Sequence, residues 1–291
     1  LLKERRFDII HAHARIPAWI STLVAGKYGI PLVTTYHWTF VSGFPWNYVT
    51  RAGDYTIAVS DAVKKYVVDK FGFDENKVTV IGNGIDCEEF SPPASGEALE
   101  LKKRFGLDPD KPVISYQSRL PKDLAAVAIA VIEAVGLLDC QLLVAGDGDY
   151  LSQVKEAASK INGQGNPRVH CLGFVSDMAS VYRASDLVVS MSRGAFEAMA
   201  CGKPVIVAGP DGDYGLATPE NVEGLELRNF TSFDAPKPND PATLAAEIKE
   251  GLDPETAARL SAFGLDLVRE HHSVESTTAA VEEVYRKLLQ R

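Results

Sequence analysis

Cysteine is scarce and scattered: Cys87, Cys140, Cys171 and Cys201 stand far apart, with no Cys-x-x-Cys pair among them. That spacing excludes a disulfide scaffold and a zinc knuckle. Cys140 and Cys171 fall in or beside predicted core strands, where a free thiol behaves as a small hydrophobe. Free thiols of this kind point to a reducing, cytoplasmic compartment. No apolar run approaches the roughly 20 residues that a membrane-crossing helix needs. No signal-peptide pattern opens the chain. Basic residues are also short: the net charge is −9, against 30 Lys and Arg. Residues 1–110 hold 13 basic and 14 acidic side chains, and the remainder holds 17 and 25, so the acidity sits in the later part. An acidic surface of that kind argues against a nucleic-acid polymer as partner. The chain begins at Leu1 and not at Met, from which loss of an upstream segment is expected.

What is present is an ordinary globular balance, 46% hydrophobic and 24% charged over 291 residues, enough for two α/β domains. Short β-rich runs at Phe7–His11, Pro31–Thr35 and Tyr55–Val59 alternate with helical stretches. After residue 110 the runs are Val113–Ser118, Gln141–Ala145, Val169–Leu172, Leu187–Ser190 and Pro204–Val207. They show little alternation, the mark of strands buried on both faces in a parallel, doubly wound sheet. A Gly-, Pro- and Ser-rich stretch from Asn83 to Gly96 reads as an interdomain hinge. From Pro241 onward there are no strand candidates, and three helices are expected.

Ligands of such sheets bind beyond the carboxyl ends of the strands, so those loops are where chemistry is sought. The strand Leu187–Ser190 runs into Met191-Ser192-Arg193-Gly194-Ala195-Phe196-Glu197, with Gly202 placed to end the helix that follows. Free N–H groups at the helix start favour an anion. Gly194 and Ala195 would let a diphosphate near the backbone. By chemistry alone Glu197 has two readings, a carboxylate favoured by the helix dipole or a ligand contact.

The segment Glu197-Ala198-Met199-Ala200-Cys201-Gly202-Lys203-Pro204-Val205-Ile206 resembles the donor site of family 4 glycosyltransferases, the large retaining group with the GT-B fold. Other segments match in order: Phe7–His13, Val33–His37, Ala58-Val59-Ser60, Val80–Asp86 with Phe90, Ser118-Arg119-Leu120, Val144–Gly148 and Leu172–Val175. The resemblance implies two doubly wound, Rossmann-like domains facing a central cleft. Residues 1–93 would form an incomplete acceptor-side domain joined by the helix 272–291, and residues 94–271 the donor domain. It also implies a nucleotide-diphosphate sugar as donor, an acceptor that is a lipid, polysaccharide or small molecule, and retention at the anomeric carbon. Peripheral membrane contact through a missing N-terminal segment is compatible with it. Within that frame Glu197 holds the ribose hydroxyls, Arg119 and Lys122 the diphosphate, and Phe174 and Val175 the base through their backbone. His37 faces the donor sugar, with His13 beside it. Lys122 requires a shifted loop, because direct alignment puts Leu124 in the usual lysine position. Arg15 is placed to meet an acidic acceptor group or to be a solvated loop residue.

The chain departs from that pattern at Val189, where relatives carry a further Glu eight positions before Glu197. The donor-sugar contacts are expected to differ, with Arg193 in part of the vacated space. Residues Gly212–Phe230 resemble a subgroup that shares this shortened segment. The triplets Asp147–Asp149 and Asp211–Asp213 suggest a metal, but Asp and Gly are equally what a tight turn requires, and no metal or other cofactor is expected. A dinucleotide fingerprint begun at Gly146 fails at Leu151. Two rivals share the architecture, a nucleotide-sugar 2-epimerase and a noncatalytic sugar-nucleotide binder. His271-His272 is read as part of a helix-linking loop.

Overall fold

A computed structural model describes residues 6–163 and 167–290. The opening residues 1–5 and Arg291, which belong to the first expected domain, lie outside the described residues, as do residues 164–166. The chain divides into two compact units: residues 1–84 with 226–229 and 274–291, and residues 85–225 with 230–273.

In the first unit β1 (Ile10–His13), α1 (Arg15–Tyr28), β2 (Leu32–Tyr36), α2 (Trp46–Val49), β3 (Tyr55–Ala58), α3 (Asp61–Phe71) and β4 (Val78–Val80) follow one another. The strands form one parallel sheet in the order β1-β2-β3-β4. Its central strand β2 is buried at every residue, as expected of a run with helices over both faces. Local chemistry sets the ends of α3. The Ser60 hydroxyl accepts from the Val63 N–H at 3.3 Å, and Gly72 closes the helix in the left-handed conformation. The expected strand Phe7–His11 is displaced to Ile10–His13. Backbone pairing of Ile10 through His13 with Leu32 through Thr35 carries the strand past its apolar letters, while Phe7 remains exposed. A strand at Val78–Val80 was not among the expected runs.

The second unit contains α4 (Glu97–Arg104), β5 (Val113–Gln117), α5 (Lys122–Gly136), β6 (Gln141–Ala145), α6 (Leu151–Asn162), β7 (Val169–Gly173), α7 (Met178–Ala184), β8 (Leu187–Ser190), α8 (Arg193–Ala200), β9 (Val205–Gly209), β10 (Gly212–Leu216), α9 (Val222–Leu227), α10 (Pro241–Gly251) and α11 (Pro254–Leu267). The last helix, α12 (Val274–Leu289), returns to the first unit, where Val284 and Leu288 pack on Val33 and Ile57. Burying aliphatic side chains like these stabilises by roughly 1.5–3 kcal/mol each. The second sheet runs β10-β9-β8-β5-β6-β7, parallel except for β10. Strand β10 escaped the sequence reading because Gly212-Asp213-Tyr214-Gly215-Leu216 has no apolar run. Helices α10 and α11 each start with an Asp whose carboxylate accepts from an N–H three residues on, followed by Pro at the first helical position. His271 and His272 belong to a π-helical turn, Val268–His272, and not to a loop; the His272 ring stacks on Phe196 with centroids 4.1 Å apart.

The direction of chain progression reverses at β5, which lies between β8 and β6. In an open α/β sheet that switch point opens a crevice at the carboxyl ends of the strands. The loops after β5 and β8 therefore flank it.

Candidate functional site

In the second unit the loop after β5 carries Ser118, Arg119 and Leu120, and it is clamped by the loop after β6. The Leu120 N–H donates to the Asp147 carbonyl at 3.0 Å, and the Tyr150 N–H donates to the Leu120 carbonyl at 3.2 Å. This approach is possible only with glycine. A Cβ on Gly146, at φ +150°, would lie 1.9 Å from the Ser118 carbonyl oxygen, and one on Gly148, at φ +154°, 2.8 Å from that of Leu120. The Gly-Asp-Gly run is thus explained by backbone packing. Asp147 accepts from the Gly148 N–H at 2.8 Å within the turn. Arg119 and Lys122, the latter the first residue of α5, are both exposed; neither guanidinium nor ammonium group has a hydrogen-bond or ion-pair partner among the described residues. Leu124 is half-buried.

The turn between β8 and α8 supplies the other side. Ser192 stands at φ 52°, ψ −131°, an unusual backbone for a residue with a side chain, and its N–H donates to the Phe230 carbonyl at 2.7 Å. Helix α8 starts at Arg193 and ends as expected, with Gly202 left-handed and its N–H on the Met199 carbonyl at 2.8 Å. Glu197 is 8% exposed. Arg193 Nε donates to its Oε1 at 2.7 Å, and the Tyr182 hydroxyl lies 3.5 Å from its Oε2. Burial raises the Glu197 pKa, and Arg193 works against that rise. So Arg193 is an ion-pair partner of Glu197 in this chain. Gly194 faces Gln117 and Ser190, where a Cβ would come within 2.1 Å of Gln117 Nε2. Ala195 is fully buried, and its N–H already donates to the Ser192 carbonyl at 3.0 Å. Phe174, after β7, is 79% exposed, while Val175 is half-buried against Val181 and its neighbours. The Gly146 N–H donates to the Gly173 carbonyl at 2.7 Å, which brings that loop beside the clamp. Arg119, Phe174 and the pair Arg193 and Glu197 thus follow three parallel strands of one sheet, β5, β7 and β8. Gln117 and Tyr182 were not singled out by sequence. Gln117 hydrogen-bonds Tyr182, joining the end of β5 to α7, and no local spacing advertises that.

Asp213 of the second Asp-Gly-Asp triplet is fully buried and accepts from the Gly215 N–H at 2.6 Å. Lys237 reaches it at 3.9 Å and hydrogen-bonds Glu247. Burial first, and then the hydrogen bond that a protonated Glu247 gives to Asp213, push the Glu247 carboxyl up to about 7. Asp211 turns instead to the Ser232 hydroxyl.

In the first unit three imidazoles line the end of the sheet. His11 and His13 alternate along β1 and therefore share a face. Their rings stack at 4.4 Å, and His13 stacks on His37 at 5.3 Å. His11 is held at both nitrogens, by the Tyr285 hydroxyl at 2.6 Å and the Thr35 hydroxyl at 2.7 Å. His13 Nδ1 meets His37 Nε2 at 3.0 Å, and His37 Nδ1 meets Asn83 Oδ1 at 3.3 Å. Burial, then the neighbouring His13 and His37, lower the His11 pKa to about 4; burial and His13 lower that of His37. Ala14, directly after His13, is at φ 67°, ψ 175°, a region almost confined to glycine. Arg15 is not a solvated loop residue. It is buried at the start of α1, with its guanidinium 4.3 Å from the Phe40 ring and 4.8 Å from that of Trp46.

Residues 1–89 match the family model described as Glycosyltransferase Family 4, and residues 111–253 match Glycosyl transferases group 1. An Escherichia coli UDP-Gal:alpha-D-GlcNAc-diphosphoundecaprenol alpha-1,3-galactosyltransferase is 27% identical over 80% of this chain and 66% of its own length. A D-inositol 3-phosphate glycosyltransferase of Kineococcus radiotolerans is 25% identical over 99% of the chain and 73% of its length. The chain therefore spans about two thirds to three quarters of these relatives. Among solved structures, a Rickettsia africae glycosyltransferase superposes with a TM-score of 0.79 at 20% identity, covering 100% of this chain and 79% of that one. Anabaena HepE with UDP gives 0.77 at 19% identity, covering 97% of this chain and 79% of that one. The fold is GT-B, and the matches support a sugar-transferring enzyme that draws on a nucleotide sugar. Among the described residues no helix is long and apolar enough to cross a membrane.

Proposed function

We propose that this chain, a family 4-type glycosyltransferase with the GT-B fold, moves a hexose from a nucleotide-diphosphate sugar to an acceptor with retention of anomeric configuration. The observation that carries this is the placing of buried Glu197, in the helix after β8, and exposed Arg119, in the loop after β5, on the two sides of the switch point of one sheet. Residues 94–271 serve as the donor domain, and residues 1–93 with the helix 272–291 as the acceptor-side domain. Glu197, paired with Arg193, accepts from the ribose hydroxyls. The Arg119 fork and the Lys122 ammonium take the diphosphate, aided by the positive start of α8, and stabilise the charge that grows as the glycosidic bond breaks. The Phe174–Val175 backbone meets the base. The histidines of the first unit serve the sugar. The sugar passes through an oxocarbenium-like state while a phosphate oxygen helps remove the acceptor proton; the side chains supply the cations, so no metal is needed.

The relative named for UDP-Gal, and HepE bound to UDP, make uracil the first base to test. The relative named for a diphosphoundecaprenol acceptor makes a lipid-linked sugar the first acceptor. Titration calorimetry of UDP, GDP and ADP in EDTA is the direct test. One nucleotide should bind tightly, and Glu197→Ala should weaken it at least ten-fold, about 1.4 kcal/mol. Binding by none of the three ends the donor-site reading.

A further inference from the structure

We infer that Tyr182, a fully buried residue that no ligand reaches, is the positioning residue by which the donor site selects ribose over deoxyribose. Its hydroxyl fixes one oxygen of Glu197, and Gln117 fixes that hydroxyl in turn. This rests on the donor reading above, in which Glu197 meets the ribose hydroxyls; all three residues lie in the second unit.

Tyr182 belongs to α7, and its ring lies against Phe90 with centroids 6.2 Å apart. Phenylalanine would fill the same space, and a buried hydroxyl is costly unless it is hydrogen-bonded. The phenol therefore has a polar task. It lies 3.5 Å from Glu197 Oε2, a long bond of the kind that shortens when a ligand fixes the acceptor. Burial, and then the Glu197 charge, hold the Tyr182 pKa well above its usual 10, so the phenol keeps its proton and donates to the carboxylate. Its oxygen accepts from the Gln117 amide. Gln117 ends β5, two residues before Arg119, and packs on Gly194 at the start of α8, where any side chain would collide with it. On the other side Arg193 Nε holds Oε1 at 2.7 Å. An ionised carboxylate has about four acceptor sites, two on each oxygen. Tyr182 and Arg193 take one on each oxygen, and one on each remains, the pair that a cis-diol needs. A 2′-deoxyribose fills only one of them. The last torsion of a glutamate is soft, so without the phenol the carboxylate turns about it and the paired acceptor is lost.

Calorimetry on the whole chain tests this by comparing UDP, or GDP or ADP where that is the nucleotide bound, with its 2′-deoxy form. Wild type should prefer the ribonucleotide about ten-fold or more, the worth of one hydrogen bond to a charged group. Tyr182→Phe keeps the ring and should cut that preference to about three-fold, with the larger loss on the ribonucleotide. Gln117→Leu, with the tyrosine left in place, should lower the preference in the same direction, and it decides the matter if Tyr182→Phe does not fold. An unchanged preference in either folded variant overturns the inference. So does an equal loss of both nucleotides, the mark of a tyrosine that only packs. A wild type that binds the ribonucleotide no better than its deoxy form overturns the ribose contact beneath it. Binding of no nucleotide by wild type overturns the donor-site reading itself.

Discussion

In the first unit a half-buried base, His11, is stacked on His13 and held by two hydroxyls. In the second a buried acid, Glu247, lies beside Asp213 and Lys237. Burial disfavours charge on both, so their pKa values move in opposite directions, down to about 4 and up to about 7. The lesson extends to the candidate ligand groups nearby. The first unit offers imidazoles that stack on and hydrogen-bond one another. The second offers Arg119 and Lys122, cations at any physiological pH, on a loop shaped by glycine.

The largest way to break that contrast is to remove the cation. Arg119→Ala should lower kcat by about 10²–10³-fold, in line with the loss of a charge-stabilising donor, and leave the denaturant midpoint unchanged because the side chain is exposed and unpaired. Equal loss from a histidine variant of the first unit would erase the distinction. Gly146→Ala attacks the scaffold instead. A Cβ against the Ser118 carbonyl should cost about 3 kcal/mol in urea unfolding, and UDP binding should fall with it. Next come the pH slopes. His11 has a folded pKa below its unfolded value, so its contribution to stability is present above about pH 6.5 and is lost as pH falls through 4. Glu247 has a folded pKa above its unfolded value, so its contribution is present below about pH 4.5 and is lost as pH rises through 7. His11→Phe should flatten the first slope and Glu247→Gln the second, each by about 1 kcal/mol once solvent screening is allowed for. Urea unfolding across pH 4–8 checks both, and a shared sign would refute the contrast. The smallest expected effect is at the backbone: Ala14→Gly should gain about 1 kcal/mol by relieving a conformation that alanine disfavours.

Much of the second sheet was legible because burial on both faces writes an unbroken apolar run. Gln141–Ala145 and Leu187–Ser190 are strands with the bounds the letters imply. The first strand was misplaced because its later residues are histidines, polar letters in a strand whose end is held by side-chain hydrogen bonds. Strand β10 was invisible for a similar reason, with a buried Asp213 answered by a lysine 24 positions later. Of the candidate site, Glu197 could be found because a strand, small residues and a helix start lie together in sequence. Its partner Tyr182, and Gln117 behind that tyrosine, could not, since they arrive from α7 and the end of β5. The partners of the histidines show the same limit. Thr35, two residues before His37, lies on the same side of its strand and was within reach of a period-two reading, whereas Asn83 and Tyr285 were not.

The Tyr285–His11 hydrogen bond spans 274 positions of the chain, and Val284 and Leu288 cover Val33 and Ile57 from the same helix. On the ribosome, therefore, the first unit to emerge is the last to be finished. Its four strands wait without their covering helix, and its histidine stack without Tyr285, while the whole second unit is synthesised and free to fold. Long-range closure of this kind is slow to form. A chain released early, short of residue 274, would keep every donor-side residue named here and still lack an assembled stack.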